Sequence, residues 1–413
     1  MSSPLPGLRP LEPVPFDHGE ERRIAWRDPS GLAQTIDVPQ PVAVLMSLFD
    51  GQRSAEQVCA AWQSLSGEDL PAEFVDKLIA ELDEHLVLDT PHFHAARAET
   101  LAQFRAQGVR RMAHAPDGYP ADAAACAELF DTLLAQGRAE ALSLRHGAVR
   151  GLIAPHIDLA RGGPCYGAAY AALRDEPADL YIVFGTAHGS CCWPDPPPLA
   201  TLTRLDYATP FGTLPTARGF IDDLCRRYAA CGGEPDDLFR DELVHRGEHS
   251  VEFQTAFLHH LFSDHPVQVV PVLLGSLHEF FDQPEALEDG AGLGPLLDAL
   301  AATIDAWPGR VCLIAGADLC HVGPRFGDRE EVSTERVAEV ATSDEQALAL
   351  LSHHDPAAFF GHFAASANPL NVCSVANLYV LRALLPDAEL ELLRWQVAVD
   401  PQQTVSFAAA ALR

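Results

Sequence analysis

Val149-Arg-Gly-Leu-Ile-Ala-Pro-His-Ile-Asp-Leu-Ala-Arg-Gly-Gly163 opens with an apolar run and breaks at a proline. Continuous apolarity fits a short strand buried on both faces, and Pro155 ends it by removing a ladder donor. His156 and Asp158 follow at once. In parallel α/β sheets, ligands gather beyond the carboxyl ends of the strands. A single His there reads as well as a turn residue held by a backbone partner, but the pattern recurs downstream. Residues 180–185 read as a strand ending at Thr186-Ala187-His188, and 311–315 as one ending at Asp318-Leu-Cys-His321. Further strand patterns cover 199–203, 267–274, 396–399 and 405–408. Helical patterns lie between them at 163–173, 218–229, 250–262, 293–306, 333–351 and 375–384. This alternation predicts an α/β fold: a mixed, mostly parallel sheet flanked by helices on both faces.

The chain has 413 residues, 48% of them hydrophobic, which is enough for more than one domain with a sizeable core. Asp and Glu number 58 against 28 Lys and Arg, a net charge of −30. Such a surface repels phosphate backbones and anionic lipid, which argues against nucleic-acid and membrane partners. The first ten residues hold three prolines and no apolar signal core, and no window is long and apolar enough for a membrane span, so a cytoplasmic location is expected. The ten cysteines include no C-x-x-C pair, which excludes a small disulfide scaffold. Cys191-Cys192 is a vicinal pair without an assigned role, and 194–198 is a short proline run.

Ahead of the α/β region, residues 1–18 read as a loose Pro-rich lead-in. Two strand patterns, 22–26 and 34–38, flank the turn signal Asp28-Pro-Ser-Gly31. Helical patterns follow at 41–49, 54–65 and 71–82, the second opened by Ser54 and Gln57 as a capping box. Leu86-Val-Leu88 reads as a closing strand. The expected organisation is a small winged-helix-like domain over 1–90, a helical connector over 91–147 and the α/β domain over 148–413. The first domain lacks a basic recognition helix, so it is expected to dock a peptide or protein. It resembles the PqqD-like modules that do so.

His156 and His188 end strands one βαβ unit apart, and two imidazoles at neighbouring strand ends make a metal site. Cys373, after the turn Asn368-Pro-Leu-Asn-Val, adds a soft thiolate whose pKa a bound metal would depress.

Five motifs then carry a specific resemblance. Ala-Pro-His156-Ile-Asp-Leu-Ala-Arg-Gly-Gly, Phe-Gly-Thr-Ala-His188, Glu248-His249-Ser-Val-Glu252, Ala-Asp318-Leu-Cys-His321 and Asn-Val-Cys373 fall in the order and spacing of the Memo family, whose bacterial members are called AmmeMemoRadiSam system protein B. The resemblance spans 149–413. It implies a fold like that of the class III extradiol dioxygenases, with a metal site of two His and one Cys, here His156, His188 and Cys373. Many members carry a second His directly after the first strand-end pair's second ligand; this chain has Gly189. Thiolate in place of the dioxygenases' carboxylate favours copper or zinc beside iron and exposes the site to oxidation. The resemblance also implies radical-SAM and AMMECR1-like partners. His321 matches the dioxygenases' acid/base His, with Asp318 to orient it and His249 lining the pocket beside Glu252.

The implied reaction is a redox or oxygenation step on a small molecule or peptide. A non-catalytic binding or scaffold role for the same pocket remains an alternative. So does a zinc metallopeptidase built on His245-x-x-Glu248-His249, although Gly247 weakens any helix through that motif. Arg161-Gly162-Gly163, opening a helix, reads equally as an anion cradle or as a tight turn with a surface Arg.

Overall fold

The structure, a computed structural model, describes residues 3–142, 147–174, 177–189, 197–289 and 292–413. Cys191-Cys192 and most of the 194–198 proline run lie outside these residues. The chain divides into two compact units, one from Met1 to Ala106, the other comprising Gln107–His188 and Pro198–Arg413. The 91–147 stretch is shared between them, split at Ala106.

In the first unit, β1 (Glu12–His18) and β2 (Glu21–Arg27) are antiparallel, and β2 pairs with β3 (Ile36–Pro39) in the same sense. The Asp28 carboxylate accepts the N–H groups of Ser30, Leu32 and Ala33, which closes the β2–β3 turn expected from sequence. The lead-in is not loose, because it contains β1. Its Pro13 and Pro15 occupy alternate positions of an edge strand, where the missing donors can face away from the sheet. Helices α1 (Gln40–Met46), α2 (Ala55–Ser66), α3 (Ala72–Glu84) and α4 (Pro91–Ala106) follow. The Ser54/Gln57 capping box forms at 3.4 and 2.8 Å. Leu45, Met46, Phe49, Val58, Val75, Leu82 and Val87 build the core. The expected closing strand reduces to one bridge, Leu8 to Leu88.

The second unit begins with β4 (Val109–Arg110), α5 (Ala123–Leu142), β5 (Gly151–Ala154), α6 (Leu159–Ala171) and β6 (Leu180–Thr186). Strands β7 (Ala200–Leu202), β8 (Asp206–Thr209) and β9 (Gly212–Leu214) precede α7 (Arg218–Ala230), α8 (His249–Leu261), β10 (Gln268–Leu274) and α9 (Gly294–Ala306). Then come β11 (Val311–Gly316), β12 (Asp318–Val322), α10 (Thr334–Ser352), α11 (Pro356–Ser366), α12 (Val375–Leu384), β13 (Leu390–Ala398) and β14 (Thr404–Leu412).

The main sheet runs β12-β14-β5-β11-β6-β10-β7, with β13 on the free side of β14, and its centre, β5-β11-β6-β10, is parallel. A small sheet joins β4, β8 and β9. The central strands are apolar except at their ends, as at Gln268 and Thr186, because helices cover both faces. Ile153, Ile182 and Val270 face Phe220, Leu296 and Leu378 of α7, α9 and α12. Leu152, Tyr181 and Val269 face the other way, toward Phe130, Tyr166 and Phe257 of α5, α6 and α8. This is the predicted mixed α/β architecture. Because β5, β11 and β6 run in parallel, their carboxyl ends open on one edge of the sheet. Among the described residues no helix is long and apolar enough to cross a membrane.

Candidate metal centre

His156 follows β5 and His188 follows β6, while Cys373 sits just before α12. These three side chains present donor atoms that all lie within 4.8 Å of one another. Cys373 Sγ is 3.4 Å from His156 Nε2, and the rings of His156 and His188 meet edge to face at 5.1 Å.

Each imidazole is held by the nitrogen that faces away from the sulfur. His156 Nδ1 donates to the Gly316 carbonyl at 2.9 Å. His188 Nδ1 donates to the Glu248 carboxylate at 3.1 Å, and the His188 backbone N–H meets the same carboxylate at 3.1 Å. Carbonyl and carboxylate oxygens only accept, so both rings carry a proton on Nδ1 and turn Nε2 toward the sulfur. The thiol is placed by a turn with two left-handed residues, Asn368 (φ 49°) and Asn371 (φ 50°). Asn tolerates that conformation better than most side chains. The Asn368 amide spans the turn, accepting from Val372 N at 2.9 Å and donating to Val372 O at 3.0 Å. The turn is joined to β12 by His321 N to Leu370 O at 2.8 Å.

Burial alone would push the Cys373 thiol up, but the positive ends of His321 and His156 and hydrogen bonds from His156 and His188 hold it well below its ordinary value. Burial likewise opposes charge on His156, yet Asp318 and Cys373 outweigh it and raise its pKa to about 9. The cluster therefore favours a thiolate beside protonated imidazole. A metal ion would displace that shared proton and inherit three donors already aimed at one point.

The other expected residues take distinct places. Asp318 does not lie in a loop at a strand end; it starts β12, which pairs antiparallel with β14. Its Oδ1 accepts the backbone N–H of His156 at 2.8 Å and of Ile157 at 3.1 Å, so it positions the loop that carries His156. Burial raises its pKa. His321 is half-buried, donates Nδ1 to Leu319 O at 3.0 Å and meets Phe326 edge-on at 5.0 Å, leaving Nε2 as its open nitrogen. His249 stacks on His188 at 4.9 Å and meets His156 edge-on at 5.4 Å. Burial lowers its pKa to about 3, so the ring is neutral.

The H-x-x-E-H reading fails on geometry. His245 lies in a short 3₁₀ turn, Glu242–Arg246, which ends at Gly247, and α8 starts only at His249 with Glu248 as its cap. His245 is fully buried. Its Nε2 donates to Thr201 O at 3.0 Å and its Nδ1 accepts from the Tyr207 hydroxyl at 2.9 Å. Both nitrogens are occupied, which leaves none for a metal shared with His249. The anion cradle also fails. Asp158 caps α6 through Arg161 N at 3.0 Å and pairs with the Arg161 guanidinium at 2.6 Å. Gly162 and Gly163 serve packing, since a Cβ on either would meet Ile157 at 2.5 Å or Leu133 at 2.7 Å.

Several site residues escape sequence reasoning. Ser374 Oγ lies 3.3 Å from Cys373 Sγ and accepts Asp318 N at 3.2 Å. Asn377, in the first turn of α12, donates to Thr186 Oγ1 at 3.0 Å and Gly316 O at 2.8 Å. Glu252 does not line the pocket freely. It pairs with Arg110 and takes Ala113 N at 3.0 Å, His114 N at 3.0 Å and the Tyr119 hydroxyl at 2.6 Å. Arg110 in turn holds the carbonyls of His245 and Glu248, each at 2.8 Å. His114 is thereby set against His249, rings 5.5 Å apart. Glu252 belongs to the Glu248–Glu252 motif already singled out from sequence, but no local pattern marks Ser374, Asn377, Arg110 or His114.

Comparison with known proteins gives the family. The profile of the Memo-like protein family matches residues 110–411. A MEMO1 family protein of Aquifex aeolicus is 27% identical over 308 residues, 73% of this chain and 72% of its own length. One from Thermus thermophilus is 31% identical over 242 residues, 57% of this chain and 62% of its own. One from Methanococcoides burtonii is 32% identical over 177 residues, 43% of this chain and 56% of its own. With a family match running from Arg110, the anchor of the pocket segment, almost to the end of β14, the chain belongs to the Memo family.

Proposed function

We propose that the second unit binds one transition-metal ion through His156 Nε2, His188 Nε2 and Cys373 Sγ and performs a redox or oxygenation step on a small molecule or peptide. The observation that carries this reading is the shared orientation of the two imidazoles, each tied at Nδ1 so that its other nitrogen is turned to the sulfur. Two imidazoles and one thiolate suit copper, iron or zinc. An ion of the first two kinds supplies electron-transfer or oxygen chemistry when bound. The chain's own residues do the rest. Asp318 and Gly316 fix His156, Glu248 fixes His188, and Ser374 sits against the sulfur. His321, with one open nitrogen at the pocket, handles the proton of the bound substrate.

The test is metal content after purification and after loading with Fe(II), Cu(I) or Zn(II). Wild type should retain about one equivalent and Cys373→Ser far less, as loss of a thiolate ligand demands; equal content in both would reject the ligand set.

One observation favours a binding role without turnover. Asp318, expected to serve a substrate, is committed to two backbone N–H groups. A catechol-type substrate screen of anaerobically iron-loaded protein separates the readings. Ring opening that vanishes in His321→Ala supports the enzyme. The first unit is proposed to dock a peptide substrate or a partner of the radical-SAM or AMMECR1-like kind, and its half-exposed Val44 and Phe74 supply apolar surface for this.

A further inference from the structure

We propose that the Ser374 hydroxyl is a fixed hydrogen-bond donor to the Cys373 sulfur, which draws electron density from a metal-bound thiolate and so favours the reduced form of a redox-active ion; this rests on the metal reading above. Ser374 is fully buried and occupies the N-cap position of α12. A serine there ordinarily turns its oxygen onto an N–H of the first helical turn. Ser374 makes no such bond. Its Oγ lies instead 3.3 Å from Cys373 Sγ, 3.2 Å from Asp318 N and 3.4 Å from Thr186 Oγ1.

The direction of each bond follows from what its members can do. The Asp318 N–H only donates, so Ser374 Oγ accepts there. The Asn377 amide lies 3.0 Å from Thr186 Oγ1 and 2.8 Å from the Gly316 carbonyl. A carbonyl only accepts, so the amide nitrogen is the atom on that side, and it donates to Gly316 O and Thr186 Oγ1 alike. Thr186 thus accepts from Asn377 and has its own proton to give, and Ser374 Oγ is the acceptor in reach. Ser374 then takes two donors, Asp318 N and the Thr186 hydroxyl, and its own proton points to Sγ. The reverse order, Ser374 giving to Thr186, would put two donors on Thr186 and leave the Thr186 proton without an acceptor among the described residues.

The members come from three elements: Thr186 ends β6, Asp318 starts β12, and Asn377 lies in α12 and is itself fully buried. None of them is among the three ligands, so the arrangement outlasts the arrival of an ion. His156 and His188 would turn Nε2 to that ion, whereas the Ser374 hydroxyl stays on the sulfur. Hydrogen bonding around a cysteine ligand is one of the levers that set a metal's reduction potential. Ser374 acts through Cys373 and is therefore a positioning residue of the centre.

The experiment loads the full chain with Co(II) and reads the thiolate-to-cobalt charge-transfer band, then loads it with copper and reads the midpoint potential. In Ser374→Ala the band should move to longer wavelength and the potential should fall, because the sulfur regains electron density. Ser374→Thr, which keeps the hydroxyl, should return both toward wild type. Thr186→Val should move the band the same way by less, since hydrogen bonds in a chain polarise one another. A band and potential in Ser374→Ala equal to wild type overturn the proposal. A shift that Ser374→Thr does not restore also overturns it, because the loss is then one of packing. In Thr186→Val, an unchanged band overturns it, and so does a move to shorter wavelength, which would mean that Ser374 had been giving its proton to Thr186. Absence of the thiolate band in wild type would instead overturn the metal reading itself.

Discussion

Glu248 grips His188 twice, taking its Nδ1 and its backbone N–H at 3.1 Å each, from a residue that also caps α8. Burial works against the carboxylate, but the charge and hydrogen bond of His188 hold its pKa well below the ordinary value. Glu248→Gln keeps the size and loses the charge. It should weaken metal binding by about 10–100-fold, as removal of a ligand's hydrogen-bond partner does elsewhere. Competition titration with a chromophoric chelator checks this, and wild-type affinity in the variant would remove Glu248 from the site.

His245→Ala separates the structural from the metal role in the same motif. The Tyr207 hydroxyl and the Thr201 carbonyl would lose their partner in a buried site. The expected cost is about 1–3 kcal/mol of stability. Metal content per folded molecule should not change. Chemical denaturation gives the first quantity and elemental analysis the second; loss of metal at wild-type stability would revive the peptidase motif.

Helices α5 and α6 cross at Gly137 and Gly167, where backbones touch without side chains between them. A Cβ on Gly167 would stand 1.9 Å from the Leu133 carbonyl oxygen, and one on Gly137 2.1 Å from Ala168 N. Gly167→Ala must therefore push the helices apart, at a cost of about 1–3 kcal/mol or more. A lower midpoint in thermal or urea unfolding is the expected outcome.

Asp344 is buried in α10, where it accepts Cys320 Sγ at 3.0 Å and Trp395 Nε1 at 2.8 Å. Burial raises its pKa above the ordinary 3.8, and the hydrogen bonds only partly offset this. With the folded value above the unfolded one, the folded state binds more protons between the two. Stability from this group therefore falls as pH rises from about the ordinary carboxylate value through the folded pKa, and is flat beyond. In Asp344→Asn that slope should disappear. Urea unfolding across the acid range, wild type against variant, measures the difference, and parallel curves would show that Asp344 does not titrate this way.

The parallel strands were legible because β5, β6, β10 and β11 must be apolar along nearly their whole length when helices cover both faces. Strand β1 was hidden behind Pro13 and Pro15, which look like a linker until an edge position excuses them. Helix α11 was hidden for the opposite reason: Phe359, Phe360 and Phe363 sit in a run with little polar relief, so no helical period stands out. At the candidate site, His156, His188 and Cys373 announce themselves by residue type and by position after strands or before a helix. Their partners do not. Glu248 meets His188 across 60 residues and Asp318 meets His156 across 162, pairings that only the closed sheet creates.

His156 Nδ1 is bonded to the carbonyl of Gly316, and the N–H next in line, that of Ala317, bonds to Ala154 O at 2.7 Å. The imidazole is thereby stitched into the seam between β5 and β11, two buried inner strands of the main sheet. Freeing the ring means opening that seam, and core strands sit at the high end of the free energies for local opening. The ring therefore keeps its aim for as long as the seam holds, so that an ion that leaves finds, on its return, a donor that has not turned away.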